Sequence, residues 1–235
     1  MPTIYTIGHS TRTLDELIAA LQTHGIRTLV DIRAFPMSRR LPHFNRESLE
    51  LELPKRGIAY VWMKELGGRR KKILDDSPNT GLRNDAFRNY ADYMLTAEFA
   101  EGIERLLQIA EQEAGPSATA AKGGPPTLGM TKEEGRPPTL GMTNEEGRPR
   151  ALGMTMEPSG STAIKSLQEP GNVAIMCAER MYFQCHRMLV SDYLTAHGHT
   201  VLHIEDEKRP LRPHKLMAEA HLVDGQLLYN VGELF

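Results

Sequence analysis

The sequence predicts an α/β fold: one three-layer domain with a mainly parallel sheet and helices on both faces. Three observations predict it. Short apolar runs of strand length recur along the chain, segments of helical periodicity stand between them, and polar or glycine residues follow several of the runs at once. Strands separated by helices must return in the same direction, which makes the sheet parallel.

The elements follow in order. Ile4 to Ile7 reads as a short apolar strand. Thr13 and Glu16 have capping-box spacing, and Leu14, Leu17, Ile18 and Leu21 form one helical face that ends at Gly25. Thr28 to Ile32 is the second strand. A helix from about Arg46 to Lys55 follows, with Asn45 as its expected N-cap. Ile58 to Met63 is the third strand, and Asn84 to Glu113 reads as two helices meeting near Thr96. Farther on, NVAIMC is a strand, Cys185 to His197 a helix and Thr200 to Ile204 another strand. The end of the chain offers a short helix near Lys215 to Ala220 and a hairpin, His221 to Tyr229, around Asp224-Gly225.

One segment breaks this order. PPTLGMTKEEGR, PPTLGMTNEEGR and PRALGMTMEP follow one another as a tandem repeat of period 12. Its Gly, Pro, Thr and Glu content shows neither helical nor strand periodicity and cannot offset the entropy of ordering. The period is also far from the 20 to 50 residues of solenoid units. Residues 114–171 are therefore read as a flexible insertion, and composition favours an accidental duplication over a binding module. Residues 1–113 and 172–235 are then the two sequence pieces of one α/β domain.

Composition bounds the function. The 235 residues are 40% hydrophobic and 25% charged, which is ordinary for a soluble protein with a real core. A net charge of −2 argues against non-specific nucleic-acid binding across the whole surface but leaves room for a local basic groove. MPTIYTIGHS has no secretory pattern and no apolar run approaches a membrane span, so no membrane partner is expected. Two cysteines are too few for a disulfide framework, and a reducing, cytoplasmic location is expected.

In parallel sheets ligands bind outside the carboxyl ends of the strands. Four segments stand there: Gly8-His9-Ser10, Asp31-Ile32-Arg33, Glu65-Leu66-Gly67-Gly68 and Cys177-Ala178-Glu179. TIGHSTR, VDIRAFPMSRR, ELGGRR, FRNYADYM and above all CAERMYFQCHR resemble the domain of unknown function family numbered 488, in the family's order and over nearly the whole chain except the insertion. The resemblance implies an α/β fold and a site, but no reaction; the repeat insertion departs from the family pattern.

Read residue by residue, the segment from Cys177 to Arg187 carries the chemistry. Cys185 stands about where a helix begins, where unpaired N–H groups, the helix dipole, His186 and Arg187 favour thiolate. Cys185 is accordingly expected to be the more reactive thiol, and Cys177, continuing an apolar strand, the slower. Each cysteine alone is equally a small buried hydrophobe. His186, His9 and Glu179 are the candidate proton carriers, although a satisfied core histidine is the commoner state. Arg33 and Arg187 are candidate anion ligands, with Ser10, Asp31, Arg39, Gly67 and Gly68 beside them, because guanidinium forks suit phosphate oxygens and glycines admit backbone N–H groups. Asp31 and Glu179 either orient those arginines or act as acid and base. The basic run Arg69 to Lys72 reads as a solvated face. His9, His186 and two cysteines make a metal site conceivable, but the cysteine spacing differs from zinc knuckles, so no metal is assigned and the cofactor is left unknown.

Several templates fail. A cysteine phosphatase needs arginine six residues after its cysteine, and position 183 is Phe. GHS is not a GxSxG elbow, and neither a GxxxxGK[ST] loop nor a strand-to-helix GxGxxG is present. Three readings stay open: a thiol-dependent transferase or hydrolase acting on a small anionic substrate, phosphorylated, a nucleotide or a nucleic-acid end; a non-catalytic nucleotide or nucleic-acid binding domain; and a thiol redox sensor. Oligomeric state is not legible.

Overall fold

In the computed structural model, residues 1–115 and 171–230 are described. Their main sheet has six strands in the order β3-β2-β4-β1-β5-β6. These are β1 (Thr3–Gly8), β2 (Ile26–Asp31), β3 (Ala59–Trp62), β4 (Asn172–Cys177), β5 (Thr200–Ile204) and β6 (Arg212–Pro213). The first five run parallel, and only β6 is antiparallel, against β5. The fold class is α/β, as the alternation of strands and helices requires.

The helices are α1 (Leu14–Thr23), α2 (Arg46–Glu52), α3 (Asp85–Tyr93), α4 (Ala97–Ala114) and α5 (Arg187–Ala196). Neighbouring strand residues point to opposite faces. Leu29 accordingly packs with Leu17, Leu21, Phe44 and Leu49 beneath α1 and α2. Val30 packs with Ile175, Phe99, Leu106 and Leu189 beneath α3, α4 and α5. Burying each such side chain contributes about 1.5–3 kcal/mol, which is what holds the three layers together. Among the described residues no helix is long and apolar enough to cross a membrane.

Local signals fare unevenly. Thr13 and Glu16 form the reciprocal capping box of α1. Asn45 does not cap α2: its Oδ1 accepts from the Ser38 N–H at 2.6 Å, because the preceding loop folds back and takes the side chain first. That helix stops at Glu52, and Pro54–Arg56 continues as a single 3-10 turn, since proline cannot donate to the ladder. No helix forms near Lys215 to Ala220; part of that stretch is drawn into β7 (Ala220–Val223), which pairs with β8 (Gln226–Tyr229). The turn between them places Asp224 and Gly225 at φ 49° and 80°, the left-handed pair of a two-residue hairpin.

The repeat insertion, residues 114–171, lies outside the described residues apart from its two ends. There the Gly171 N–H donates to the Glu113 carbonyl at 2.8 Å, at the amino-terminal edge of β4. The chain therefore leaves and re-enters at one point, at the opposite end of the strand from Cys177.

β4 lies between β1 and β2. The chain leaves β1 and β2 for α1 and α2 on one face, and leaves β4 for α5 on the other. Adjacent strands whose connections diverge open a crevice at their carboxyl ends, and that crevice holds the site.

Candidate functional site

The floor of the crevice is Cys177, the last residue of β4. Backbone bonds hold the loops around it: His9 N–H donates to the Cys177 carbonyl at 3.0 Å and Ser10 N–H to the Ala178 carbonyl at 2.8 Å. Gly8 allows this approach, since a Cβ there would stand 1.8 Å from the Glu179 carbonyl oxygen. Above the floor is a cavity of about 560 Å³ lined by Arg33, Ala34, Phe35, Met37, Gly68, Arg69, Ala86, Phe87, Cys177, Ala178, Glu179, Gln184, Cys185 and His186.

Three soft donor groups meet there. One ligand atom each of Cys177, Cys185 and His186 lies within 4.8 Å of the others, and all three residues are buried. His186 Nε2 faces the Ile32 carbonyl at 2.8 Å. A carbonyl only accepts, so Nε2 carries the proton and Nδ1 presents its lone pair, 3.8 Å from Cys177 Sγ. Tyr90 supports the ring from the side, its centroid 5.2 Å away and its hydroxyl donating to the Leu66 carbonyl at 2.8 Å. Gly68 keeps Nδ1 clear, because a Cβ there would come within 2.2 Å of it. Burial holds the imidazole neutral.

The two thiols are unequal. The Cys177 thiol is pulled down to about 7 by its neighbour Cys185, by Arg187 and by the backbone N–H groups of Glu179 and Ala178, against burial. Cys185 moves the other way, since it keeps the proton it shares with Cys177 and is equally buried. Its residue is extended, two positions before α5 begins, so it does not sit in the helix's first turn. Cys185 Sγ lies 3.7 Å from the Tyr182 carbonyl oxygen. These directions favour the negative charge on Cys177, whereas the helix-start argument from sequence favours Cys185.

The arginines face inward. Arg187 is 1% exposed; its Nε donates to Cys185 Sγ at 3.3 Å, and its Nη2 donates to the Glu179 carbonyl and to the Arg180 carbonyl at 3.1 Å. Arg33 lies against Asp31 at 2.5 Å and donates also to the Phe44 carbonyl at 2.8 Å. Tyr60 completes that carboxylate with a hydroxyl donated at 2.7 Å. His9 stacks on Phe44 and its Nε2 lies 3.3 Å from Arg33 Nη1, so burial and Arg33 push it down to about 4. His9 is thus a neutral brace at pH 7.

Of the residues selected from sequence, Arg33, Gly68, Cys177, Glu179, Cys185 and His186 line one cavity. His9, Asp31 and Arg187 lie behind its walls. Ser10 lines a separate polar cleft with Arg12, Arg180 and Asp206. Arg39 is exposed away from it, and Gly67 packs on Ala34. Sequence reasoning gave no role to Phe35, Met37, Phe87 and Gln184, although VDIRAFPMSRR, FRNYADYM and CAERMYFQCHR contain them. It also set Arg69 aside as solvated face, yet this exposed cation stands at the cavity mouth with no salt bridge among the described residues.

Fold and site together define an α/β protein with a thiol-floored crevice at the switch point of a parallel sheet. Residues 13–120 match the model of the family described as Domain of unknown function DUF488. The matched span contains Asp31, Arg33, Gly67 and Gly68 and ends before Cys177. No curated protein and no solved structure matches the chain.

Proposed function

We propose that this protein is an enzyme acting on a small anionic substrate through Cys177 as nucleophile. The observation that carries the reading is the Cys177–His186 pair: a buried thiol on the cavity floor, 3.8 Å from an imidazole nitrogen whose lone pair is fixed toward it by a carbonyl on the far side of the ring. That is the nucleophile–base–orienter arrangement of thiol catalysis. His186 Nδ1 takes the proton, and the thiolate bonds to the electrophilic atom of the substrate as the leaving group departs with its electron pair. A second acceptor, water in a hydrolase or another nucleophile in a transferase, then displaces sulfur and restores the thiolate.

The walls suggest the substrate. Arg69 supplies positive charge at the mouth, and Phe35 and Met37, 67% and 76% exposed, offer apolar surface beside it. An anion bearing a planar or apolar group, as a phosphorylated metabolite, a nucleotide or a nucleic-acid end does, satisfies both. Glu179 on the rim can carry the leaving group's proton.

Iodoacetamide labelling against pH, on the native chain and on Cys177→Ser and Cys185→Ser, tests the reading, followed by a screen of phosphate esters and nucleotides for turnover. Cys177 should label faster at pH 7 than a free cysteine peptide, and Cys177→Ser should abolish both labelling and turnover. Thiols that react only after unfolding would end the nucleophile reading. Salt-sensitive ligand binding without turnover would then mark a binding domain. The closeness of the two thiols favours one further reading, a redox sensor, for which mild oxidant would yield a reversible Cys177–Cys185 disulfide.

A further inference from the structure

Cys177, Cys185 and His186 also have the donor set of a metal ion. Two thiolates and an imidazole are soft ligands that select zinc-like cations over magnesium or calcium. In a tetrahedral zinc site, with Zn–S near 2.3 Å and Zn–N near 2.0 Å, ligand atoms stand roughly 3.5–3.8 Å apart. The observed Cys177 Sγ to His186 Nδ1 separation is 3.8 Å, and all three ligand atoms already lie within 4.8 Å of one another. Closing the set requires side-chain shifts of about 1 Å or less on this comparison.

The surroundings fit as well as the ligands. Metal-bound histidines commonly donate their other N–H to a carbonyl, which fixes the tautomer. His186 does so with Ile32. Arg187 Nε donates to Cys185 Sγ at 3.3 Å, the kind of N–H contact that steadies a bound thiolate. Gly68 packs against Nδ1 without a side chain, where a Cβ would stand 2.2 Å from it. Among the described residues three protein groups converge, and they face the cavity, which leaves a fourth position for water or an anion.

We propose that these three residues bind one zinc-class divalent cation reversibly, and that the bound ion silences the Cys177 thiol. Binding joins the ion to both sulfurs and to Nδ1 and releases the thiol protons, at most two per ion, to solvent. The ion then occupies the electron pair with which Cys177 would attack. The inference rests on the reading of the cavity floor as the functional centre, and it adds a means of switching that centre off.

Cobalt(II) added to the full chain stripped with chelator should give a thiolate-to-metal charge-transfer absorption that saturates at one ion per chain and that zinc displaces. Zinc should block iodoacetamide labelling of Cys177, EDTA should restore it, and magnesium should do neither. Cys185→Ala separates the two ideas: it should lose the cobalt absorption and the zinc protection, while Cys177 still labels, though only at higher pH because the neighbour that lowers its thiol is gone. His186→Ala should weaken zinc by more than about 10-fold. Rapid labelling with neither absorption nor protection would overturn the metal site and leave the nucleophile standing. Zinc protection that survives in both variants would place the ion elsewhere and equally overturn it. A native chain that neither labels nor binds cobalt would remove both readings.

Discussion

Two buried polar clusters share the α5 face of the sheet, and they differ in one respect. In the first, every bond closes within the protein. Asp192 accepts from His214 Nε2 at 2.8 Å, from the Met217 N–H at 3.1 Å and from the Tyr229 hydroxyl at 3.1 Å. His203 Nε2 donates to His214 Nδ1 at 3.0 Å, and the Thr6 hydroxyl donates to His203 Nδ1 at 2.7 Å. Tyr182 covers His203 in a parallel stack at 3.5 Å. In the second, Cys177, Cys185 and His186 point their free atoms at one another and at a cavity. Arg187 spans the two, with Nη1 3.5 Å from the Thr6 hydroxyl and Nε on Cys185 Sγ. Burial of polar groups is therefore no sign of function here. What separates the clusters is that the sulfur and imidazole groups of the second line a cavity.

This contrast breaks most readily at Asp192. Asp192→Ala strands three buried donors, each costing about 1–3 kcal/mol, so urea unfolding should show a loss of about 3 kcal/mol or more. The folded fraction should label at Cys177 at nearly the native rate. A collapse of labelling without loss of stability would mean that the closed cluster belongs to the reaction. Gly68→Ala acts on the open side. Its Cβ must displace His186, at about 1–3 kcal/mol, and Cys177 labelling should slow more than stability falls. Equal stability and equal labelling would show that His186 Nδ1 does not assist the thiol.

Titration sharpens the same comparison. In the metal-free protein the Cys177 labelling rate should rise with pH through about 7 and level off above it, because its thiol is lowered to about 7 from the free value of about 8.5. A depressed acid stabilises the fold once it is ionised. That contribution is therefore complete above about 8.5 and disappears as pH falls through about 7. The closed cluster and His9 respond at lower pH. His203 is lowered to about 3 by burial and by His214, and His9 to about 4. An unfolded histidine binds its proton near 6.5, so stability should be full above that pH and fall as pH drops toward 4 and 3. His203→Gln should flatten that acid slope in urea titrations at successive pH values; an unchanged slope would show that His203 is protonated in the native state.

The smallest effect belongs to the insertion. Removing residues 116–169 and bridging with a short Gly/Ser linker should shift the melting temperature little, since the ends already meet at Glu113 and Gly171 and loop closure changes slowly with length. Large destabilisation would show that the repeat packs on the domain.

By itself the sequence determined the layers. Periodicity and punctuation are local, so the α/β alternation, the Thr13–Glu16 capping box and the Asp224-Gly225 turn were all legible. It also marked the carboxyl ends of the strands as the place to look, because apolar runs there give way to Gly8-His9, Arg33, Gly68 and Cys177. Tertiary structure decided what each residue does there. Arg33 and Arg187 look like anion ligands in a linear reading, but Asp31, Phe44, Glu179 and Arg180 claim their donors, and those partners come from strand ends and turns the sequence cannot bring together. Arg69 stands at the mouth, and no carboxylate among the described residues pairs with it. The two thiols differ for the same kind of reason: the expectation for Cys185 rested on a helix start, whereas Cys185 itself, Arg187 and two backbone N–H groups lower the thiol of Cys177 at a strand end. Local signals set the elements, and long-range contacts set the potential at each atom.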